Sequence, residues 1–171
     1  MQRRRRFLLS AFSGAAALAA LTSTGRWRAL AATPADAAKP GEHFPFTRTD
    51  DQWRKALSPD QYAVLRQEGT ERPYTSPLNN EHRVGTFACA GCQLNVFASR
   101  TKFDSHTGWP SFWAPLDHAV ATHSDSSFSM SRTEVHCVRC GGHLGHVFDD
   151  GPQPTGLRYC MNGVAMTFTP A

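Results

Sequence analysis

Several features are missing from this 171-residue sequence. No apolar stretch is long enough for a typical membrane span, since the longest one is short and interrupted by Ser and Gly. Neither Cys-x-x-Cys pair is followed by His, which excludes covalently attached haem. No Glu or third His stands at the spacing of a zinc protease, and no His-x-Glu signature of a zinc deaminase occurs. These absences exclude the commonest metal-hydrolase chemistries.

The first 31 residues contain no Asp or Glu. Residues 3–6 are all Arg, an Ala-rich apolar stretch follows, and small residues suited to cleavage lie at 29–31 and 35–37. Residues 4–8, Arg-Arg-Arg-Phe-Leu, fit the twin-arginine pattern, although an ordinary secretory signal is an alternative. We expect a twin-arginine export signal at 1–31, a linker at 32–48 and one domain at 49–171. The mature protein would be periplasmic where the host has an outer membrane.

Cleavage after residue 31 would change the charge of the protein. Six of the 18 basic residues and none of the 14 acidic ones lie in the signal, which leaves 12 against 14 and a net charge of −2. The basic character of the whole chain therefore reflects targeting, and we expect no nucleic-acid partner.

The domain is predicted to be mainly β, after a short helical lead-in. Thr49 or Asp50 would cap a helix that runs to Leu57, and Ser58 would cap a second one that ends at Gly69. Short apolar runs separated by turn residues predict antiparallel strands at 83–88, 94–97, 118–123, 126–137, 143–148 and 157–168. A β core of roughly ninety residues often needs an additional cross-link.

Four cysteines in two pairs could provide that cross-link. The two knuckles supply four thiolates, the set that binds structural zinc in a closed tetrahedral site: Cys89, Cys92, Cys137 and Cys140. Disulfides or redox-active dithiols are the alternatives, because an exported protein meets an oxidising compartment. Folding around zinc before twin-arginine export is compatible with that destination, so we expect structural Zn²⁺.

Cys160 is the only cysteine outside these pairs. In a strand, Arg158 would share its face, and a nearby cation favours the reactive thiolate. Asn162 would share that face too, whereas Tyr159 and Met161 would lie on the other. The alternative is a buried strand cysteine without chemistry.

Four segments of the sequence, in order, resemble the B-type methionine sulfoxide reductases, which act on the R epimer of methionine sulfoxide. They are residues 101–112, 132–135, 143–152 and 156–162, and the likeness extends over about residues 50–169 with both cysteine pairs. The resemblance implies two antiparallel sheets in a small β-barrel or tent-like domain, with the zinc away from the active site. It implies methionine-R-sulfoxide, free or in oxidised proteins, as substrate, and we expect a monomer.

The resemblance also implies roles for individual residues. Cys160 would be the nucleophile, and Trp109 would form an apolar wall against the substrate methyl group, with Phe112 beside it. The sulfoxide oxygen would be surrounded by His143, His146 and Asn162, while Arg158 and Asp150 would tune and orient the site. The residue chemistry agrees, since a thiolate must attack sulfur and an imidazole can protonate the oxygen near neutral pH.

One departure from the family pattern concerns regeneration of the enzyme. Many members carry a second, resolving cysteine where this chain has Thr107, and they carry Gly where it has His106. With four cysteines assigned to zinc, no thiol remains for an internal disulfide, so a thioredoxin-like protein or a small thiol would reduce Cys160. The competing hypothesis is a non-enzymatic zinc-ribbon module, which has no need of Cys160.

Overall fold

The computed structural model describes residues 43–126 and 131–171. The predicted signal, the linker up to residue 42 and residues 127–130 of the strand predicted at 126–137 lie outside this range. The last residues of the predicted linker pack against the domain. The Phe46 amide donates a hydrogen bond to the carbonyl of Arg139, and its ring lies 5.9 Å from that of Trp53.

Two short helices lead into the domain, α1 (Asp50–Ala56) and α2 (Pro59–Gln67). Both begin with a capping box, in which Thr49 pairs with Gln52 and Ser58 with Gln61. The predicted starts of both helices are confirmed, although α2 ends before Gly69 because Glu68 adopts the left-handed conformation (φ 55°). Neither helix is long and apolar enough to cross a membrane, and no other described helix is.

The rest of the described chain forms two antiparallel sheets. The three-stranded sheet has the order β2-β1-β9, and the six-stranded sheet has the order β3-β4-β8-β7-β6-β5. The strands are β1 (Gly85–Cys89), β2 (Asn95–Ala98), β3 (Lys102–Phe103), β4 (Ser111–Phe112), β5 (Val120–Asp125), β6 (Arg132–Cys137), β7 (His143–Phe148), β8 (Arg158–Met161) and β9 (Met166–Pro170). The mainly β fold with two antiparallel sheets is confirmed.

The strand predicted at 157–168 is wrong, because it divides into β8 and β9, which belong to different sheets. A 3-10 turn, Gly163–Ala165, separates them. The carboxylate of Glu71 accepts hydrogen bonds from the amides of Gly163 and Val164, so these amides are not available to a sheet partner. A contact 92 residues away along the chain thus decides where β8 ends.

Aromatic side chains fill the space between the two sheets. The ring of Phe112 in β4 stacks on Phe97 of β2 at 4.4 Å and meets Phe87 of β1 edge-on at 4.9 Å. Burying one such side chain stabilises the fold by about 1.5–3 kcal/mol. The largest fully buried side chains also include Trp53, Leu65, Leu144, Met161, Val96 and Val135.

Candidate active site and metal centre

The four paired cysteines meet in one buried cluster, and none of the five cysteines is in a disulfide. The Sγ atoms of Cys89 and Cys140 are 3.7 Å apart, and those of Cys92 and Cys137 are 3.5 Å apart. Zn–S bonds of about 2.3 Å place sulfurs roughly 3.8 Å apart around a tetrahedral ion. The cluster is therefore consistent with a bound metal ion.

The two knuckles share the same backbone turn. The amide of Gln93 donates to the carbonyl of Cys89, and the amide of Gly141 donates to that of Cys137. An arginine binds the outer carbonyl of each knuckle, Arg139 at Cys92 and Arg66 at Cys140. These bonds fix the sulfurs, and the two guanidinium groups provide positive charge beside ligands that must bind as thiolates.

Hydrogen bonding with Cys137 affects the two thiols of the first knuckle in opposite directions. It lowers the pKa of Cys92 and raises that of Cys89. A metal ion replaces the protons of these thiols when it binds.

Cys160 belongs to a row of cross-strand partners in the six-stranded sheet. The row runs through β5, β6, β7, β8 and β4 as His123, Glu134, His146, Cys160 and Ser111, each directly opposite the next. Directly opposite residues project from the same face of a sheet. These five residues, called the polar row below, therefore line one face of the sheet with titratable and hydroxyl groups.

The thiol of Cys160 is partly buried, 3.9 Å from Oγ1 of Thr107. Burial raises the pKa of Cys160, while the hydrogen bond with Thr107 and the charge of Arg158 oppose this shift. Arg158 and Cys160 stand two residues apart in β8, so their side chains project from the same face of the sheet. Asp150 holds the guanidinium at 2.8 and 2.9 Å. Because burial prevails, the resting side chain is a thiol at neutral pH.

Hydroxyl groups form a chain beside Cys160. Oγ of Ser105 lies 2.8 Å from Oγ1 of Thr107 and 2.7 Å from Oγ of Ser111. Thr107 thus stands next to the sulfur, with a hydroxyl that forms no disulfide. The adjacent His106 has a left-handed backbone (φ 57°), a conformation that glycine adopts most readily, and an exposed side chain.

Carboxylates orient the two predicted catalytic histidines, a buried one at His143 and a partly buried one at His146. Nδ1 of His143 lies 2.7 Å from Oε1 of Glu134, and Nδ1 of His123 lies 2.6 Å from Oε2. Nε2 of His146 lies 2.8 Å from Asp125, although burial lowers the pKa of this imidazole. An ionised carboxylate only accepts hydrogen bonds, so it places the proton of His143 on Nδ1. Nε2 of His143 is buried and has no partner among the described residues.

Trp109 and Asn162 are joined through the loop at Glu71. The indole Nε1 of Trp109 donates to the Glu71 carbonyl at 3.1 Å, and Oδ1 of Asn162 accepts from the Glu71 amide at 2.9 Å. Nδ2 of Asn162 donates to the carbonyl of Leu144. Trp109 is partly exposed, as a pocket wall requires, and Gly108 (φ 94°) before it packs against Pro73.

The structure corrects the prediction that Phe112 lines the substrate site. Side chains alternate along a strand, and the register of β4 with β8 places Ser111 opposite Cys160. Phe112 therefore points to the opposite face, where it is fully buried between Phe87 and Phe97. Its contribution is to the core.

Four residues around the site received no role from the sequence: Glu71, Ser111, Asp125 and Glu134. Glu134 had one usable signal, since a carboxylate within a predicted strand requires a partner wherever that strand is buried. The other three depend on register and loop packing, for which a single sequence gives no signal.

Comparison with known proteins places this geometry in a family. Residues 57–170 match the model of the SelR domain. The chain is similar to proteins named peptide methionine sulfoxide reductase MsrB from three bacteria. It is 53% identical to that of Agrobacterium fabrum over 124 residues, 72% of this chain and 92% of the relative. It is 55% identical to that of Pseudomonas putida, over 72% of this chain and 93% of the relative. It is 49% identical to that of Leptospira interrogans, over 74% of this chain and 97% of the relative.

Proposed function

This chain belongs to the SelR domain family and is a peptide-methionine (R)-S-oxide reductase, and we propose that Cys160 is the nucleophile of its reaction. Membership of this family favours a reductase over a non-enzymatic zinc-ribbon binding module. The observation that carries the assignment is the separation of the cysteines. Four are buried together, whereas Cys160 lies apart from them in the polar row.

The proposed reaction transfers oxygen from the substrate to Cys160. The thiolate attacks the sulfoxide sulfur and forms a sulfur–sulfur bond, while a proton is delivered to the oxygen. The hydroxyl group then moves from the substrate sulfur to the Cys160 sulfur, so that the sulfur–oxygen bond of the substrate and the sulfur–sulfur bond both break. The oxygen finishes on Cys160 as a sulfenic acid, and methionine leaves. The substrate sulfur gains two electrons, and the Cys160 sulfur loses two.

His143 and His146 are the proposed proton carriers for the oxygen. The carboxylate of Glu134 holds the ring of His143 through Nδ1, so Nε2 is the nitrogen that would transfer the proton. Asp125 holds His146 in the row beside Cys160. Asn162 accepts from the amide of Glu71, whose carbonyl in turn accepts from the indole of Trp109, and the ring of Trp109 would contact the methyl group of the substrate.

Arg158 would stabilise the thiolate of Cys160 once substrate binding excludes water. Its own ion pair with Asp150 keeps the guanidinium in place. A charge that is held in advance needs no reorganisation when negative charge develops on sulfur. Asp150 therefore acts through Arg158.

We infer that the four-cysteine cluster binds a structural Zn²⁺ ion. Cys89, Cys92, Cys137 and Cys140 would hold it, and their buried, all-thiolate set leaves no position for a catalytic water. Zinc would supply a cross-link between the end of β1 and the end of β6. These strands belong to different sheets, so the metal would stabilise the packing of one on the other.

An external thiol is the proposed reductant of the sulfenic acid. A thiol attacks the Cys160 sulfur, water leaves, and a mixed disulfide forms; a second thiol then releases Cys160. A thioredoxin-like donor and a small thiol both fit this chemistry. We also propose export by the twin-arginine machinery, action in the periplasm on free or protein-bound methionine-R-sulfoxide, and a monomeric state.

Stereospecific turnover tests this function. The zinc-loaded protein is incubated with dithiothreitol and either epimer of methionine sulfoxide, and methionine is measured. We expect consumption of the R epimer alone. Consumption of the S epimer at a comparable rate would contradict the proposed site, and no consumption of either would show that the scaffold has lost the activity.

A further inference from the structure

A second group of metal-ligand side chains lies at the end of the polar row that is farthest from Ser111. It consists of His123, Glu134 and His136, whose ligand atoms all lie within 4.8 Å of one another. Nδ1 of His123 is 2.6 Å from Oε2 of Glu134, and Nδ1 of His136 is 3.9 Å from the same oxygen. Both imidazoles thus present the same nitrogen to one carboxylate oxygen.

The fold places these three groups together by register. His123 in β5 lies directly opposite Glu134 in β6, and His136 follows Glu134 by two residues along the same strand. The group is anchored on a sheet rather than on a loop. Glu134 and His136 are buried, and the ring of Phe44 packs edge-on against His136 at 5.7 Å.

The group differs from a simple ion pair in its number of ligands and in its access. One carboxylate would be satisfied by one histidine, yet Glu134 has His123, His136 and His143 around it. Two imidazoles and one carboxylate form a common set for divalent transition ions, with bonds of about 2.0–2.2 Å. The side chain of His123 is 23% exposed, so an ion has a route from solvent.

We propose that His123, Glu134 and His136 form a binding site for a divalent transition-metal ion, separate from the four-cysteine cluster. Ligand atoms around a tetrahedral ion lie roughly 3.3 Å apart. Nδ1 of His136 and Oε2 of Glu134, which are 3.9 Å apart, are close to that separation. Nδ1 of His123 and the same oxygen, which are 2.6 Å apart, reach it when the partly exposed His123 moves outward. Water would complete the coordination on the exposed side.

The site shares Glu134 with the reductase centre, but uses the other oxygen of the carboxylate. Oε1 is bonded to Nδ1 of His143, whereas Oε2 faces His123 and His136. An ion on Oε2 would therefore leave the bond to His143 in place. Because metal binding is measured directly, the test below does not depend on the proposed mechanism.

Zinc stoichiometry tests the proposal. Full-length protein with its cysteine cluster loaded is dialysed against increasing free Zn²⁺, and bound zinc is measured by elemental analysis. We expect a second equivalent to bind to the wild type. His123→Gln should weaken this second equivalent by at least about tenfold while the first is retained. His123 is the decisive position because it lies in β5, outside both cysteine knuckles.

Three further variants locate the second ion. His136→Gln should also lose the second equivalent, although its neighbour Cys137 makes it a weaker test. His82→Gln, at an exposed histidine elsewhere, should retain it. Cys160→Ser should retain it as well, since loss there would place the ion at the reductase site. The proposal is overturned if the wild type stops at one equivalent, if His123→Gln keeps the second, or if Cys160→Ser loses it.

Thermal unfolding gives an independent readout. An ion that binds only the folded state increases the free energy of unfolding, by about 2.7 kcal/mol when its free concentration is a hundred times its Kd, and so raises Tm. Added Zn²⁺ should raise the Tm of the loaded wild type and of His82→Gln. An equal rise in His123→Gln would contradict the proposed ligands.

Discussion

The chain holds cysteine in two environments, the four-cysteine cluster and the polar row. In the cluster the nearest neighbours of each sulfur are other sulfurs, within 3.5–3.7 Å for the closest pairs. Around Cys160 they are hydroxyl groups and a guanidinium, and His146 stands directly opposite in the facing strand. The difference shows that the role of a thiol follows from its surroundings. In the four-cysteine cluster the sulfurs can share a metal ion in place of their protons, whereas in the polar row the Cys160 sulfur can react with an electrophilic substrate.

The sharpest way to separate the two environments is to remove one sulfur from the cluster. Cys137→Ser should abolish zinc binding and cooperative thermal unfolding. Structural zinc contributes on the order of 10 kcal/mol, which is comparable to the whole stability of a small domain. Metal analysis and circular dichroism on heating would show this. Retention of zinc and of a cooperative transition would mean that the cluster is not a structural metal site.

Removal of the sulfur in the polar row should abolish activity but leave zinc binding and stability intact. Cys160→Ser is expected to keep zinc and its unfolding transition but to lose roughly 1,000-fold or more in turnover of the R epimer, because the nucleophile is gone. Turnover is measured with dithiothreitol beside the wild type. Residual activity above about a tenth of wild type would refute Cys160 as the nucleophile.

A substitution at Glu134 tests whether residues of the polar row depend on one another for activity. Glu134→Gln keeps the size of the side chain but removes the carboxylate that holds the ring of His143 through Nδ1. We expect kcat to fall about 100-fold, a typical contribution of general acid catalysis, with a smaller change in KM. The pH profile of kcat should also change shape. Asp117→Asn, at an exposed carboxylate, is the matched control, and equal kcat values in the two variants would contradict the assignment.

The smallest expected effect concerns the reactivity of Cys160 at different pH values. Burial raises its pKa, so alkylation of the resting enzyme should accelerate only as pH rises above the ordinary range of a thiol. Thr107→Val removes a hydrogen bond that lowers this pKa, and should move the profile to still higher pH. Iodoacetamide labelling followed by mass spectrometry measures both. An unchanged or lower midpoint in Thr107→Val, relative to Thr169→Val as control, would contradict the role given to the hydroxyl.

Features that depend on local sequence could be predicted. The cysteine spacing separates Cys160 from the four others, and the residues at the caps give the starts of both helices. Each of these signals lies within a few positions of the feature that it controls. The mainly β architecture follows from the short apolar runs and their turns in the same way.

Features that depend on distant partners could not be predicted. The register of β4 with β8 determines on which face of the sheet Phe112 lies. The hydrogen bond from the Gly163 amide to Glu71 determines where the chain breaks between β8 and β9. The short β3 and β4 contain two residues each, too few to show a period. Glu134 acquires two of its three histidines, His123 and His143, only when β5 and β7 pair with β6. Such pairings are set by tertiary structure.

The central claim is that one thiol performs the reaction without an internal partner. The most direct test is the intact mass of the protein after one equivalent of methionine-R-sulfoxide, without reductant and with a sulfenic-acid trap. Thr107→Cys is the matched control, since Oγ1 of Thr107 lies 3.9 Å from the Cys160 sulfur and a thiol placed there should form a disulfide. We predict one trapped sulfenic acid, at Cys160, in the wild type. An intramolecular disulfide between Cys160 and any cysteine of the cluster would contradict it.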